Sequence, residues 1–239
     1  MKLVALPDTP DVGALRVGDE DAARACGAEL ILGRAAGQLS LWRPGGHETP
    51  LSVDFDHGAL GYRLAVDRVR HERLVRAVGK CMDNGVVVDA TAGLGRDSAL
   101  LAQAGWRVVM LERQPVLQAL LADGLARSPE MAGQMSLEAV DSVAWLLAHP
   151  DSAEVVYLDP MFPEREKSAA IRKELLWLQW LCGMDSAAGE QALLNAALGT
   201  ARRRVVVKRP LRAPDLAGRK PASSLAGKTV RFDIYPVKH

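Results

Sequence analysis

The sequence predicts an α/β protein: one domain on a mostly parallel sheet over residues 56–239, preceded by a small α+β cap over residues 1–55. Three observations carry this. The runs at 86–88, 155–158 and 205–207 are apolar without alternation, as expected for strands buried on both faces of a parallel sheet. Helical patterns separate them, so strands and helices alternate as βαβ units with right-handed crossovers. Ahead of residue 56, short apolar runs sit between Gly, Pro and Asp punctuation, the pattern of a small, strand-rich unit.

In chain order, the cap reads as strands near 2–6, 29–32, 38–42 and 51–55, with one helix near 19–26. A basic helix is expected over 68–78. Strands follow at 86–89, 107–112, 135–139, 155–159, 204–208 and 230–235. Between them fall helices at 96–104, 115–127, 142–148, 168–181 and 189–197. The stretch 212–228, rich in Pro, Gly, Lys and Ser, reads as a mobile loop.

The 239 residues are 49% hydrophobic and 25% charged, an ordinary balance for a folded domain. The formal charge of +1 provides no global attraction to nucleic acid, so any RNA surface must be a local patch. Cys26, Cys81 and Cys182 are far apart and odd in number, which argues against a disulfide framework or a metal site and fits a reducing cytoplasm. No cysteine lies near the motifs below. No apolar run approaches the ~20 residues of a membrane span, and the N-terminus lacks a signal-peptide pattern.

Three elements carry chemistry. The first is Asp89-Ala-Thr-Ala-Gly93-Leu-Gly95-Arg96-Asp97, where a strand ends in an acid and a glycine turn opens a helix. Ligands of open α/β sheets bind at such carboxyl ends, and glycine tolerates positive φ without obstructing them. The third glycine of a dinucleotide site is missing and Arg96 follows Gly95, so an adenosyl amino acid fits better than a pyrophosphate, with the Asp89 carboxylate meeting its ammonium group. By itself the turn could also be an ordinary βα connection. The second element is Glu112-Arg113 at the next strand's end. An acid about 20 residues past such a turn accepts both ribose hydroxyls and disfavours a 2′-phosphate. Alone it would equally be a solvated strand end. The third is Asp159-Pro160-Met161-Phe162-Pro163, a stiff loop offering an acid, backbone carbonyls and a ring, the parts that orient and stack a planar amine. The competing reading is a simple loop start with an anchored core ring.

The remaining candidates have ready structural explanations. The five histidines show no ligand spacing, and no metal is expected. Trp177 and Trp180, three apart on a helix, read as a core-packing stripe in preference to a base-stacking platform. Basic residues cluster around Arg68 and Arg70, around Lys167 and Arg172 just after the Asp159 loop, and at Lys208-Arg209. These are either solvated faces or phosphate contacts for RNA.

Taken together and in this order, the Asp89–Asp97 motif, Met110-Leu-Glu112-Arg113, the strand leading to Asp159–Pro163, Val205-Val-Val-Lys208-Arg209-Pro210 and Arg231-Phe-Asp-Ile-Tyr235 resemble the small-subunit (16S) ribosomal RNA methyltransferase J family over roughly residues 51–235. The resemblance implies a Rossmann-like class I fold and S-adenosyl-L-methionine as cofactor. It also implies transfer of a methyl group to N2 of one guanine in 16S rRNA or the small ribosomal subunit. It further implies cofactor contacts at Arg96, Asp97, Glu112, Arg113 and Asp159. The family's Ser-Ser pair after the third strand is matched by Asp141-Ser142; its usual His after the Asp-Pro-Met-Phe-Pro run is replaced by Glu164, and a glycine-rich basic stretch by residues 65–71.

The expected mechanism is direct in-line transfer without a covalent enzyme intermediate. Asp159 and the Pro160 backbone would orient the amine, and Phe162 would stack on the base. The rival readings are an amino-methyltransferase on DNA or a protein amide, an NAD-linked oxidoreductase and a non-catalytic RNA-binding module.

Overall fold

Two sheets organise the chain, and the C-terminal ends of the parallel strands in the larger one gather Asp89, Glu112, Asp159 and Lys208. The computed structural model describes residues 1–161, 171–183 and 186–237. The cap holds β1 (Leu3–Ala5), β2 (Leu15–Arg16), α1 (Glu20–Ala25), β3 (Leu30–Ala35), β4 (Gln38–Trp42) and β5 (Leu51–Ser52). Its sheet runs β2-β1-β3-β4-β5, parallel on the β1 side and antiparallel from β3 onward. The Asp19 carboxylate caps α1, accepting from Ala22 N at 2.8 Å.

Three short helices follow: α2 (Gly58–Leu64), α3 (Val66–Val69) and α4 (Arg73–Val78). The expected single helix over 68–78 is therefore broken, with one helix ahead of it unforeseen. The cause is the spacing of the apolar anchors. Leu64, Val69 and Leu74 are all buried, and residues five apart would lie about 140° from one another on a continuous helix. Breaking the chain lets all three face the core. Glu72, extended at ψ 132°, opens α4 and binds Arg63 through two hydrogen bonds of 2.8 and 3.1 Å.

The larger domain then alternates β6 (Val86–Asp89), α5 (Arg96–Gln103), β7 (Arg107–Leu111), α6 (Pro115–Arg127), α7 (Pro129–Ala132), β8 (Met135–Glu138), α8 (Ser142–Ala148) and β9 (Ala153–Leu158). It continues with α9 (Ile171–Cys182), α10 (Ala187–Thr200), β10 (Ala201–Pro210), β11 (Ser223–Ala226) and β12 (Val230–Pro236). The sheet order is β11-β12-β10-β9-β6-β7-β8. The five strands from β10 to β8 are parallel, while β12 and β11 add antiparallel at one edge. This is the class I Rossmann-like architecture. Val87, Val88, Val155, Val156 and Val205–Val207 are at most 1% exposed, because helices cover both faces.

The cap packs on α6. Asp123 accepts from Arg34 Nη1 and Leu39 N, and Phe55 is buried beside α5 and α6. The stretch 212–228 is a built edge rather than a loose loop. Its β11 pairs with β12, and Arg231 donates to the carbonyls of Leu211 and Ala213 and to Asp215 at 2.7–3.0 Å. That anchor lies outside the segment, so local composition does not reveal it. Among the described residues no helix is long and apolar enough to cross a membrane, and no group of three or more His, Cys, Asp or Glu side chains is arranged to hold a metal.

Candidate active site

The strand order reverses between β6, which leads to β7 and β8, and β9, which leads to β10. A crevice opens at such a switch point. Register brings the strand ends together: Asp89 pairs with Tyr157, and Val207 pairs with Leu158, so Lys208 and Asp159 emerge side by side.

Asp89 organises the turn and stands at the back of the crevice. It is 1% exposed, and its two oxygens accept from Thr91 N at 3.1 Å and Ser98 Oγ at 2.6 Å. These internal bonds, which the sequence did not announce, tie the turn to the first turn of α5. Burial pushes its carboxyl up to about 7, further raised by Asp97 and Asp159 and opposed by the two hydrogen bonds. The folded state therefore holds an extra proton between 3.8, the group's ordinary value, and about 7. The stabilisation this gives is complete below the lower value and lost as pH rises through the upper one. The melting temperature of the wild type relative to Asp89→Asn should fall as pH is raised from 4 to 8; a difference independent of pH would contradict this.

Gly95, at φ +70°, opens α5. A Cβ there would stand 2.8 Å from Leu121 and 3.3 Å from Phe55, so both backbone conformation and packing require glycine. Gly95 shapes the turn from behind and lines neither cavity described below. Gly93, at φ +56°, faces the crevice and donates its N–H to Glu112 Oε2 at 3.0 Å. Glu112 Oε1 accepts from Gln114 N at 2.8 Å. Burial pushes the Glu112 carboxyl up, and backbone N–H bonds from Gln114, Gly93 and Arg113 oppose that. Three backbone N–H groups share the two carboxylate oxygens, and the acceptor capacity that remains faces the crevice.

Two cavities meet at this crevice. The first is lined by Gly93, Glu112, Arg113, Asp141, Ser142, Asp159 and Pro160, with apolar walls from Ala90, Leu111, Val143 and Leu193. Asp141 caps α8 through Ala144 N and lies 3.9 Å from Arg113, and Ser142 Oγ donates to Ala90 O at 2.6 Å. Cys182 also lines it, contrary to the expectation that no cysteine approaches the motifs; its carbonyl accepts from Arg113 at 3.3 Å. The helix that brings it there follows the Asp159 loop, which separation in sequence hides. The second cavity is lined by Arg63, Arg96, Asp97, Tyr157 and Lys208. Thr91, Gly93, Asp159, Pro160 and Met161 belong to both. Asp159 therefore stands on the wall between the two spaces, with its backbone N–H held by Thr91 Oγ1 at 2.6 Å. Arg96 and Asp97, expected beside the cofactor, line the second cavity, which adjoins the first along Thr91, Gly93 and Asp159.

A charged network fills the floor of the second cavity. Lys208 Nζ donates to Asp97 Oδ2 and Asp159 Oδ2, each at 2.8 Å, and Tyr157 OH donates to the same Asp97 oxygen at 2.6 Å. Burial works against the Lys208 charge, but Asp159 and Asp97 outweigh it and hold the ammonium above its usual range. Burial also pushes Asp97 up, but Lys208, Tyr157 and Arg63 bring it below the ordinary carboxylate range. Asp159 is raised, by burial first and by Asp97 as well, with Lys208 opposing.

The basic residues divide. Lys208 belongs to this network and also lines the third cavity described below. Arg209 is 1% exposed and turned inward, onto Pro214 O at 2.8 Å and Glu190 at 3.5 Å, so it is withdrawn from the RNA contacts. Alternation along β10 puts the two neighbours on opposite faces. Arg68 is exposed and stacks over Tyr62, 3.7 Å from the ring centre, and Arg70 is exposed beside His71. A third cavity shares Arg63, Asp97 and Lys208 with the second and runs out past Arg68, His71, Arg73 and Lys228. Phe162 and Lys167 lie outside the described residues, as does the Arg172 side chain. Trp177 is buried at 3%, as a core ring should be, but Trp180 is 38% exposed and leaves the stripe. Thr91 and Tyr157 have no assigned role in the sequence reading, and Arg63 stands there only among the basic residues near Arg68. Tyr157 was open to detection, since it lies two residues before Asp159 on the same face of β9.

Comparison with known proteins agrees with this geometry. Residues 22–237 match the family model described as "Putative SAM-dependent methyltransferase". The chain is 53% identical to ribosomal RNA small subunit methyltransferase J of Alcanivorax borkumensis, over 90% of this chain and 88% of that protein. It is 50% identical to the protein of that name from Thioalkalivibrio sulfidiphilus, over 78% of this chain and 76% of the other. Among solved structures, a SAM-dependent methyltransferase from Neisseria gonorrhoeae superposes with a TM-score of 0.72 at 30% identity, covering 98% of this chain and 96% of its own. A nicotinamide-linked oxidoreductase is thereby set aside. The chain belongs to the family of SAM-dependent methyltransferases that includes the ribosomal RNA small subunit methyltransferases J.

Proposed function

We propose that this enzyme methylates the exocyclic N2 of a guanine in 16S rRNA, acting in the cytoplasm on the RNA or on the small ribosomal subunit. The observation that carries the reading is the place of Asp159, on the wall shared by the cavity that holds Glu112 and a second, charged one. The relatives' names supply the class of RNA.

The first cavity fits S-adenosylmethionine. Glu112 would accept the ribose hydroxyls, Asp141 and Ser142 would lie along the base, and Gly93 leaves the backbone open to close approach. Bound there, the cofactor supplies a methyl group activated by a sulfonium. The protein's share is positioning. Asp159 and the carbonyls of Pro160 and Met161 would accept the N–H groups of the amine, so that its nitrogen lone pair points across the wall. As the amine gives up that lone pair it becomes positive; the Asp159 carboxylate stabilises the developing charge, and the nitrogen then releases one proton to solvent to return to neutral. Phe162, which follows directly, is assigned the stacking role for the extruded base.

The third cavity provides a path for the RNA backbone. Arg68, Arg73 and Lys228 line a groove that leads into the second cavity, and all three are exposed. Phosphate contacts position an RNA without reading its bases. Replacing Arg73 and Lys228 together by alanine should weaken rRNA binding and flatten its salt dependence, by about 0.7–0.9 in the log–log slope for each cation removed. An unchanged slope would exclude this groove. The activity itself is tested by supplying methyl-labelled S-adenosylmethionine with small subunits, naked 16S rRNA and DNA. Label should enter the subunits or the rRNA; label confined to DNA or to protein would refute the assignment.

A further inference from the structure

We propose that Lys208 is a positioning residue of the methyl-transfer site, keeping Asp159 a hydrogen-bond acceptor by bridging it to Asp97. The inference rests on the reading above, in which Asp159 accepts the N–H of the substrate amine.

The bridge is set by the sheet. Val207 pairs with Leu158 in the parallel β9–β10 ladder, so the next residue of each strand is Lys208 and Asp159. Lys208 Nζ is 2.8 Å from one oxygen of each carboxylate. The groups facing Asp159 come from four elements: Lys208 at the end of β10, Asp97 in α5, Tyr157 in β9 and Asp89 at the end of β6. Arg63 of α2 acts on Asp97 and is itself held by Glu72. Three carboxylates thus crowd the floor of one cavity, and Lys208 is the cation that touches two of them.

Without that ammonium, Asp97 and Asp159 become two carboxylates sharing one site, and such a pair does not ionise fully. Asp97 keeps the Tyr157 hydroxyl and the field of Arg63, both of which favour its charged form. Asp159 loses its one side-chain hydrogen bond among the described residues. The proton therefore goes to Asp159. A protonated Asp159 presents an O–H where the amine needs an acceptor, and it no longer offsets positive charge at the nitrogen.

The test is the pH dependence of kcat/KM for rRNA at saturating S-adenosylmethionine, which reports the groups of the enzyme–cofactor complex. In Lys208→Met the acid limb should move up by about one to three pH units, with activity recovering toward wild type at alkaline pH. Lys208→Arg keeps the charge and should leave the limb in place. Asp97→Asn removes the like charge and should move it down. Calorimetric binding of S-adenosylhomocysteine confirms that each variant folds. If Lys208→Met lowers the plateau without moving the limb, Lys208 is merely structural and the proposal is overturned. Should that variant fail to fold, an unmoved limb in Asp97→Asn overturns it equally. Failure of the underlying reading shows separately, as a wild-type enzyme that forms no N2-methylguanine in 16S rRNA.

Discussion

Asp159→Ala should slow methyl transfer by about a hundred- to a thousandfold, the scale seen when one preorganised electrostatic partner of a transition state is removed. The loss should fall on the chemical step, because Asp159 belongs to the wall between the two cavities rather than to the depth of either. Binding of S-adenosylhomocysteine should change far less, since the Glu112 side of the cofactor cavity is untouched. Asp159→Asn is the informative companion. Its carbonyl can still accept one N–H, but it carries no charge and offers a donor to Lys208, which is itself a donor. It should therefore retain orientation while losing charge stabilisation, and fall between alanine and the wild type. Single-turnover rates with enzyme in excess check both. A wild-type rate in Asp159→Ala would exclude the proposed mechanism.

Replacing Glu112 should act on the cofactor instead. Glu112→Ala should weaken S-adenosylhomocysteine binding by about ten- to a hundredfold, the worth of hydrogen bonds to a charged acceptor. Its turnover at saturating cofactor should stay closer to wild type. Glu112→Gln should be no milder, which the geometry explains. One carboxylate oxygen accepts from Gly93 N and the other from Gln114 N. Whichever way a glutamine amide is turned, its NH2 meets a backbone donor, and the turn that shapes the cavity is disturbed. Calorimetric titration together with thermal melting measures both effects. If Glu112→Gln bound the cofactor as the wild type does, the acceptor role of the carboxylate would be wrong.

Most of the site's skeleton was legible in the sequence, for a local reason. The runs at residues 86–88 and 155–158 are unbroken and apolar, and each is followed directly by an acid, Asp89 and Asp159. The glycine turn, Glu112 and Asp159 therefore come to the same edge of the sheet once the strands are parallel. What was hidden depends on register and on distant anchors. Lys208 and Arg209 read as one basic pair, yet alternation sends the first into the crevice and the second into the interior, where Glu190 and Pro214 receive it. Residues 212–228 have a loop's composition, but Arg231 and the pairing of β11 with β12 make them a sheet edge. The basic helix over 68–78 is interrupted because its apolar residues recur at five, a spacing that one helix cannot bury. The Asp89 carboxylate was assigned outward because acids at strand ends meet ligands, whereas Ser98 and Thr91 claim it from within.

The most direct test of the account is the position of the methyl group. Small ribosomal subunits prepared without this enzyme would be treated with it and isotopically labelled S-adenosylmethionine, and the 16S rRNA then digested and mapped by mass spectrometry. The account predicts label at one guanine, as N2-methylguanosine. Label at a ring nitrogen, on ribose, on another base or only on ribosomal protein would contradict it.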